Sequence, residues 1–148
     1  MPRFLAGLAP FLLAAVVGGC VLQGPALDGP IAVNLHITTT PSSVEVDAPG
    51  WFAEETAVYL CSAEPPVLPE PGPDRVGWRP GDACHAYGTV PSRDGLRIGL
   101  PIDSLAGEPW PAFAAAEDWY VYLLEVDGDR VVSAVRSRFG APRDIVAF

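Results

Sequence analysis

The segment Trp119–Val126, together with the Asp127-Gly128 dipeptide that follows it, constrains the fold of this chain more than any other feature. The segment is apolar on both faces of a strand apart from Glu125, which is the pattern of a central strand in a sandwich. Asp-Gly between two strand-forming segments is the strongest short-range signal for a β-hairpin, and Val131–Val135 supplies the second strand. The chain is therefore expected to contain an antiparallel sheet built around this hairpin.

Other short segments show the alternation of apolar and polar residues that is typical of half-buried strands. In Ile31–Thr40, His36 falls on the polar face and is interpreted as a solvated surface residue. Further predicted strands are Ser43–Val46, Thr56–Cys61, Ala83–Val90 and the segment with Leu96, Ile98 and Leu100. Pro111–Glu117 is a helix candidate. About seven short strands and at most one short helix predict an all-β antiparallel β-sandwich, immunoglobulin-like or related.

The first residues carry a different pattern. Arg3 precedes the uncharged, mostly apolar segment Phe4–Val17, which ends in Val17-Gly18-Gly19-Cys20. This arrangement resembles the signal peptide and lipobox of bacterial membrane lipoproteins. The resemblance implies cleavage before Cys20, a diacylglycerol on its thiol and usually a third acyl chain on its amine. Two or more acyl chains anchor a protein stably, so the resemblance implies a membrane-anchored, extracytoplasmic protein, on the outer membrane, its periplasmic side or the cell surface.

The lipoprotein resemblance also implies a division of the chain into three parts. Residues 1–19 would be the signal peptide, residues 20–30 the lipidated cysteine with a flexible tether, and residues 31–148 a single β-sandwich domain. The part that remains after cleavage is long enough for one domain and too short for two. Two alternatives stay open: an ordinary cleaved signal peptide, and a retained membrane-spanning helix, which Pro10 and Gly18-Gly19 disfavour.

The three cysteines fit an exported protein. If Cys20 is lipidated, Cys61 and Cys84 remain as a pair, and disulfides persist in oxidising compartments. We therefore predict a Cys61–Cys84 disulfide. A metal site formed by Asp82, Cys84 and His85 is disfavoured, because adjacent residues in a strand point to opposite faces. No metal and no cofactor are expected.

The segment Glu55–Cys61 resembles the F strand of an immunoglobulin variable domain. Tyr59 stands two residues before a cysteine, where that family has the tyrosine of its tyrosine corner. In that family the partner cysteine lies upstream, whereas Cys84 lies downstream. The chain is therefore not assigned to the family, and Tyr59 is expected either to form a convergent corner or to pack as an ordinary strand residue.

The segment Ser62–Ala83, between the two cysteines, contains six prolines. Such a composition is incompatible with a regular strand or helix and favours extended polyproline II conformations. Long irregular segments inside small domains are often functional. Two interpretations stay open: a stiff surface flap, or a recognition loop that displays Trp78 between Arg75 and Arg79. The second rests on the enrichment of Trp and Arg at binding hot spots.

The charge balance bears on possible partners. The chain has 18 acidic against 9 basic side chains and a formal net charge of −9, and binding to a phosphate backbone requires clustered Lys or Arg. Arg136, Arg138 and Arg143 form the one basic grouping and are interpreted as a solvated strand edge. We therefore expect no nucleic-acid partner.

No recognisable catalytic motif occurs, and neither His36 nor His85 lies in the context of a catalytic triad. No catalytic residue is assigned, and the chain is expected not to be an enzyme. The preferred interpretation is a lipid-anchored envelope protein with a binding, accessory or shielding role through its loops. Its expected partners are the membrane, through lipidated Cys20, and an envelope protein or glycan. The alternative is a carbohydrate-binding or glycan-processing envelope protein whose loop tryptophans stack on sugar rings.

Overall fold

Antiparallel strands make up about half of residues 35–145, the part of the chain that the computed structural model describes. The strands are β1 (His36–Thr39), β2 (Ser43–Ala48), β3 (Ala53–Cys61), β4 (Cys84–Ser92), β5 (Leu96–Pro101), β6 (Asp118–Asp127) and β7 (Arg130–Gly140). One short helix, α1 (Trp110–Ala115), and two 3-10 turns, Pro73–Arg75 and Ile102–Leu105, complete the described part. The predicted all-β sandwich is confirmed. The predicted signal peptide, Cys20, the tether and the start of Ile31–Thr40 lie outside the described residues.

The strands form two antiparallel sheets. The three-stranded sheet has the order β1-β2-β5, and the four-stranded sheet has the order β4-β3-β6-β7. In the described part of β1, His36 is exposed, as its place on the polar face predicts. Strand β6 lies between β3 and β7, so the position predicted for Trp119–Val126 is confirmed.

The inner core lies between the two sheets and follows the alternation in the sequence. Its fully buried residues include Val44 and Val46 of β2, Val58 and Leu60 of β3, Leu100 of β5, and Trp119, Val121 and Leu123 of β6. On β3, Ala57, Tyr59 and Cys61 face the other side of the sheet, in alternation with Val58 and Leu60. The alternation therefore assigns the faces of the strands correctly.

The β6–β7 hairpin forms where the sequence predicts it, with a small change of register. Asp127 pairs with Arg130, so the loop consists of Gly128 and Asp129 rather than of Asp127 and Gly128. Gly128 has a φ of 64°, in the left-handed region that glycine adopts without steric cost. The Asp127-Gly128 dipeptide therefore predicts the position of the hairpin correctly. The two loop residues lie one position further along the chain than the dipeptide indicates.

Aromatic side chains close one end of the sandwich. The predicted helix Pro111–Glu117 is found as α1, and it brings Phe113 against Trp119 with ring centroids 5.1 Å apart. The Trp119 indole N–H donates a 2.9 Å hydrogen bond to the carbonyl of Phe113. This bond satisfies the one polar group of a fully buried side chain.

A chain of buried hydrogen bonds links β3 and β4 at their Ala53–Ser92 pair. The indole N–H of Trp51 donates to the Thr56 hydroxyl at 2.7 Å, and the Thr56 and Ser92 hydroxyls are 2.6 Å apart. Ser92 donates to the carbonyl of Ala53 at 3.0 Å, so the proton between the two hydroxyls comes from Thr56. Trp51 therefore caps the core and is not part of a surface patch.

Candidate functional site

The segment of residues 62–83, called here the proline-rich loop, is closed at its base. Cys61 at the end of β3 lies directly opposite Cys84 at the start of β4, and the two form a disulfide. The amide N–H of Ser62 donates to the carbonyl of Ala83 at 2.9 Å in the next position of the ladder. The predicted disulfide is confirmed, and it ties together the two points where the loop leaves and rejoins the sheet.

The loop runs across the outer face of the four-stranded sheet. The Tyr122 hydroxyl on β6 donates to the carbonyl of Pro66 at 2.8 Å, and the Arg136 guanidinium on β7 donates to the carbonyl of Pro65 at 2.6 Å. Arg136 also forms an ion pair with Glu64 at 3.2 Å. Arg136 is exposed on the edge strand, as the solvated-edge interpretation expects. Its guanidinium also binds the loop, which the sequence did not reveal.

Further along, the loop reaches the free edge of β7. Arg75 donates two hydrogen bonds of 2.7 Å, from Nε to the carbonyl of Pro69 and from Nη1 to the carbonyl of Val132. Val76 forms an antiparallel bridge with Arg130. The loop therefore covers backbone groups that an edge strand would otherwise present to other chains.

Beneath the loop lies a second apolar cluster, called here the outer cluster. Its buried members are Cys61, Tyr122, Leu124 and Val131. Leu68 and Trp78 of the loop pack on it, and the rings of Trp78 and Tyr122 meet edge to face with centroids 6.2 Å apart. The loop therefore acts as a third layer of the domain.

The Tyr122 hydroxyl lies partly desolvated between the cluster and the loop. Burial raises the pKa of Tyr122, and the positive charge of Arg136 opposes that shift. The neutral phenol is therefore the form that the folded protein favours, and this form carries the proton donated to Pro66.

The three binding residues predicted from the sequence do not form one patch. Trp78 is partly buried on the outer cluster, and the Arg75 guanidinium is engaged by two backbone carbonyls. Arg79 is exposed and forms no hydrogen bond or ion pair with residues 35–145. A binding role for these residues stays a prediction, but the packing of Trp78 and Arg75 fits the flap interpretation of the loop.

The outward side of the loop carries a different apolar residue. Val67 has 77% of its surface exposed, more than any other large hydrophobic residue among residues 35–145. Its neighbour Pro66 is also exposed. Val67 was not among the binding residues predicted from the sequence, because binding hot spots are enriched in Trp and Arg and not in Val.

A groove of about 960 Å³ lies at the α1 end of the sandwich. Its lining combines Trp110 and Phe113 with the charged residues Glu117, Asp118 and Arg143. Phe113 is 2% exposed, so the partly buried Trp110 is the aromatic side chain that the groove offers to a ligand, beside carboxylates and a guanidinium. Such a mixture suits ligands that have both apolar and hydroxylated surfaces.

The histidines and the remaining cysteines give no metal centre within residues 35–145. His36 is exposed on β1, the ring of His85 packs on Tyr87 at 5.2 Å, and Cys84 is in the disulfide. No three His, Cys, Asp or Glu side chains of this part of the chain group together as metal ligands. The same described residues include no helix with the length and apolar character needed to cross a membrane.

Comparison of the chain with protein-family models, with curated proteins and with solved structures found no match.

The flap interpretation did not identify the apolar sheet face that the loop covers. The signal was present in β6, where Tyr120, Tyr122, Leu124 and Val126 make the outer face as apolar as the inner one. A strand with two apolar faces needs a cover on each, and the proline-rich loop supplies the second.

Proposed function

We propose that this chain is a lipid-anchored envelope protein with a non-enzymatic role, which binds or shields an envelope component through its loops. The observation that carries the proposal is the fixation of the proline-rich loop by Tyr122, Arg136 and Arg75. A segment that is already ordered loses little conformational entropy on binding, so more of its contact energy becomes affinity.

The anchoring half of the proposal rests on Val17-Gly18-Gly19-Cys20 and its resemblance to a lipobox. The Cys61–Cys84 disulfide supports export, because such bonds persist in oxidising compartments. Cys20→Ser should leave the precursor unprocessed and abolish incorporation of labelled palmitate in the native cells.

The double variant Cys61→Ala/Cys84→Ala is the matched control for this experiment, because it removes two cysteines and keeps Cys20. It should incorporate palmitate like the parent. Equal labelling of the Cys20→Ser protein and the parent would exclude lipidation at Cys20.

The alternative, a carbohydrate-binding or glycan-processing role, is favoured by the groove at the α1 end. Asp118 and Arg143 line it beside the partly buried ring of Trp110, and charged groups next to an aromatic surface suit a hydroxylated ring. Co-sedimentation of the protein with purified envelope glycan tests this role. Binding that is lost in Arg143→Ala and kept in Val67→Asp would favour the glycan role over the loop.

A further inference from the structure

The first half of the proline-rich loop has a backbone dictated by its prolines. Residues 64–71 read Glu-Pro-Pro-Val-Leu-Pro-Glu-Pro and contain no helix or strand. Each proline fixes its own φ near −65° and pushes the preceding residue toward extended or polyproline II geometry. Of these eight residues, Val67 alone is neither a proline nor followed by one. Local chemistry therefore favours a polyproline II segment.

Three carbonyl groups of this segment are held by the rest of the domain. The carbonyls of Pro65, Pro66 and Pro69 accept hydrogen bonds from Arg136, Tyr122 and Arg75, at 2.6, 2.8 and 2.7 Å. These bonds fix the segment to β6, to β7 and to the later part of the loop. The segment is held in one register, and a partner would meet it already formed.

The exposed side chains of the segment are apolar and acidic. Val67 is 77% exposed and Pro66 is exposed beside it. Glu70 is exposed and forms no ion pair within residues 35–145. An exposed proline and valine on a fixed extended backbone match the ligands of aromatic-lined grooves, which recognise preformed polyproline II segments.

We propose that residues 64–71 are a preformed polyproline II ligand for an envelope protein, which receives Pro66 and Val67 in an aromatic-lined groove and carries a basic residue opposite Glu70. This inference rests on the proposed binding function and names the element and the class of partner. In this proposal the exposed residues Pro66 and Val67 contact the partner, and Trp78 packs on the outer cluster instead.

Site-specific photocrosslinking in the full-length, lipidated protein tests the inference. Benzoylphenylalanine at position 67 should give one discrete protein adduct, and mass spectrometry should place the attached residue in a groove lined by Trp, Tyr or Phe. Position 52 is the matched control, because Phe52 is an aromatic residue with 64% of its surface exposed and lies outside the loop. The adduct at position 52 should be at least about tenfold weaker.

Variants of the native protein sharpen the test once the crosslinked partner is purified. Val67→Asp should weaken binding about tenfold or more, Glu70→Arg several-fold, and Val67→Ile little. All three should keep the parent melting temperature, because these side chains are exposed. Val67→Asp with unchanged affinity would overturn the proposal, and so would attachment of position 67 to a lipid, a glycan or a surface without aromatic residues.

The same experiment separates the two proposals. Discrete protein adducts at position 52, with none at position 67, would remove the polyproline II ligand and leave a binding function elsewhere. Failure of both positions to attach to any protein, glycan or lipid of the envelope would remove both proposals.

Discussion

The two faces of the four-stranded sheet are both buried, but by different means. The inner face packs against the three-stranded sheet, and its cover consists of alternating apolar strand residues such as Val46 and Leu100. The outer face is covered by a loop whose backbone is fixed by Tyr122, Arg136 and Arg75. The inner face is therefore sealed by regular structure, and the outer face by an irregular segment held through side-chain donors.

This difference has a physical reason. Proline has no amide N–H to donate, so a segment rich in proline cannot pair regularly with a strand, and its carbonyls must find donors elsewhere. Side chains projecting from β6 and β7 supply those donors to Pro65 and Pro66. No further strand pairs with the proline-rich loop on its solvent side within residues 35–145. Val67 is exposed on that side.

The largest effect is expected in the inner core. Trp119 is fully buried and bonded to the carbonyl of Phe113. Truncation of such a tryptophan removes its burial and leaves a cavity, so Trp119→Ala should lower the free energy of unfolding by about 3–5 kcal/mol, measured by urea denaturation. Val132→Ala, at a residue that is 40% exposed, is the control and should change stability little. If Trp119→Ala lowered the free energy of unfolding only slightly, the interior of the sandwich would contribute less to stability than the burial of Trp119 implies.

The next effect concerns the base of the loop. Cys61→Ala/Cys84→Ala should lower stability by about 3 kcal/mol in the chain-entropy model, because the bond closes a loop between residues 23 apart in sequence. The outer cluster should become accessible to the dye ANS, since Cys61 is one of its buried members. Parent protein should resist alkylation until it is reduced. An alkylatable thiol at either position in the oxidised parent would contradict the disulfide.

A smaller loss of stability is expected for Trp78→Ala. Trp78 is partly buried on the outer cluster, so its truncation should cost roughly half of the value for a fully buried tryptophan, about 2 kcal/mol. ANS binding should increase, while binding to the crosslinked partner should persist at concentrations where the variant is folded. An unchanged melting temperature with lost partner binding would restore the interpretation of Trp78 as the recognition residue.

These two tryptophans also show where sequence reasoning succeeds and where it fails. Trp119 lies in a segment whose apolar pattern predicts a central strand, and the hairpin signal after it predicts which strand pairs with it. Trp78 lies among prolines and glycines. This segment has no alternation of apolar and polar residues, so the sequence does not indicate which side chains face the protein. Cysteine pairing could be inferred because only two thiols remained. The donors that hold the loop, Tyr122 and Arg136, could not, because their partners are backbone carbonyls distant in sequence.

The smallest effect compares one tyrosine on each face. Tyr122 donates to Pro66 in the outer cover, and Tyr87, which packs against the inner core, donates to the carbonyl of Pro101 at 2.7 Å. Removing either hydroxyl should cost about 1 kcal/mol. Urea denaturation of Tyr122→Phe and Tyr87→Phe measures the two losses, and a loss in Tyr87→Phe alone would mean that the bond to Pro66 contributes nothing to the outer cover.

The pH dependence of the Tyr122→Phe effect checks the same contact. Burial raises the pKa of Tyr122 above the ordinary value of 10.0, with Arg136 opposing the shift, so above pH 10.0 the unfolded phenol ionises before the folded one. The stability contributed by the neutral phenol is therefore fully present below pH 10.0 and is lost as the pH rises through the folded pKa. Parent and Tyr122→Phe unfolding curves should accordingly differ at pH 8 and converge above pH 10.0. A difference that stays constant across this range would show that the phenol is not desolvated beneath the loop, and the outer face would then not be sealed in the way the inner face is.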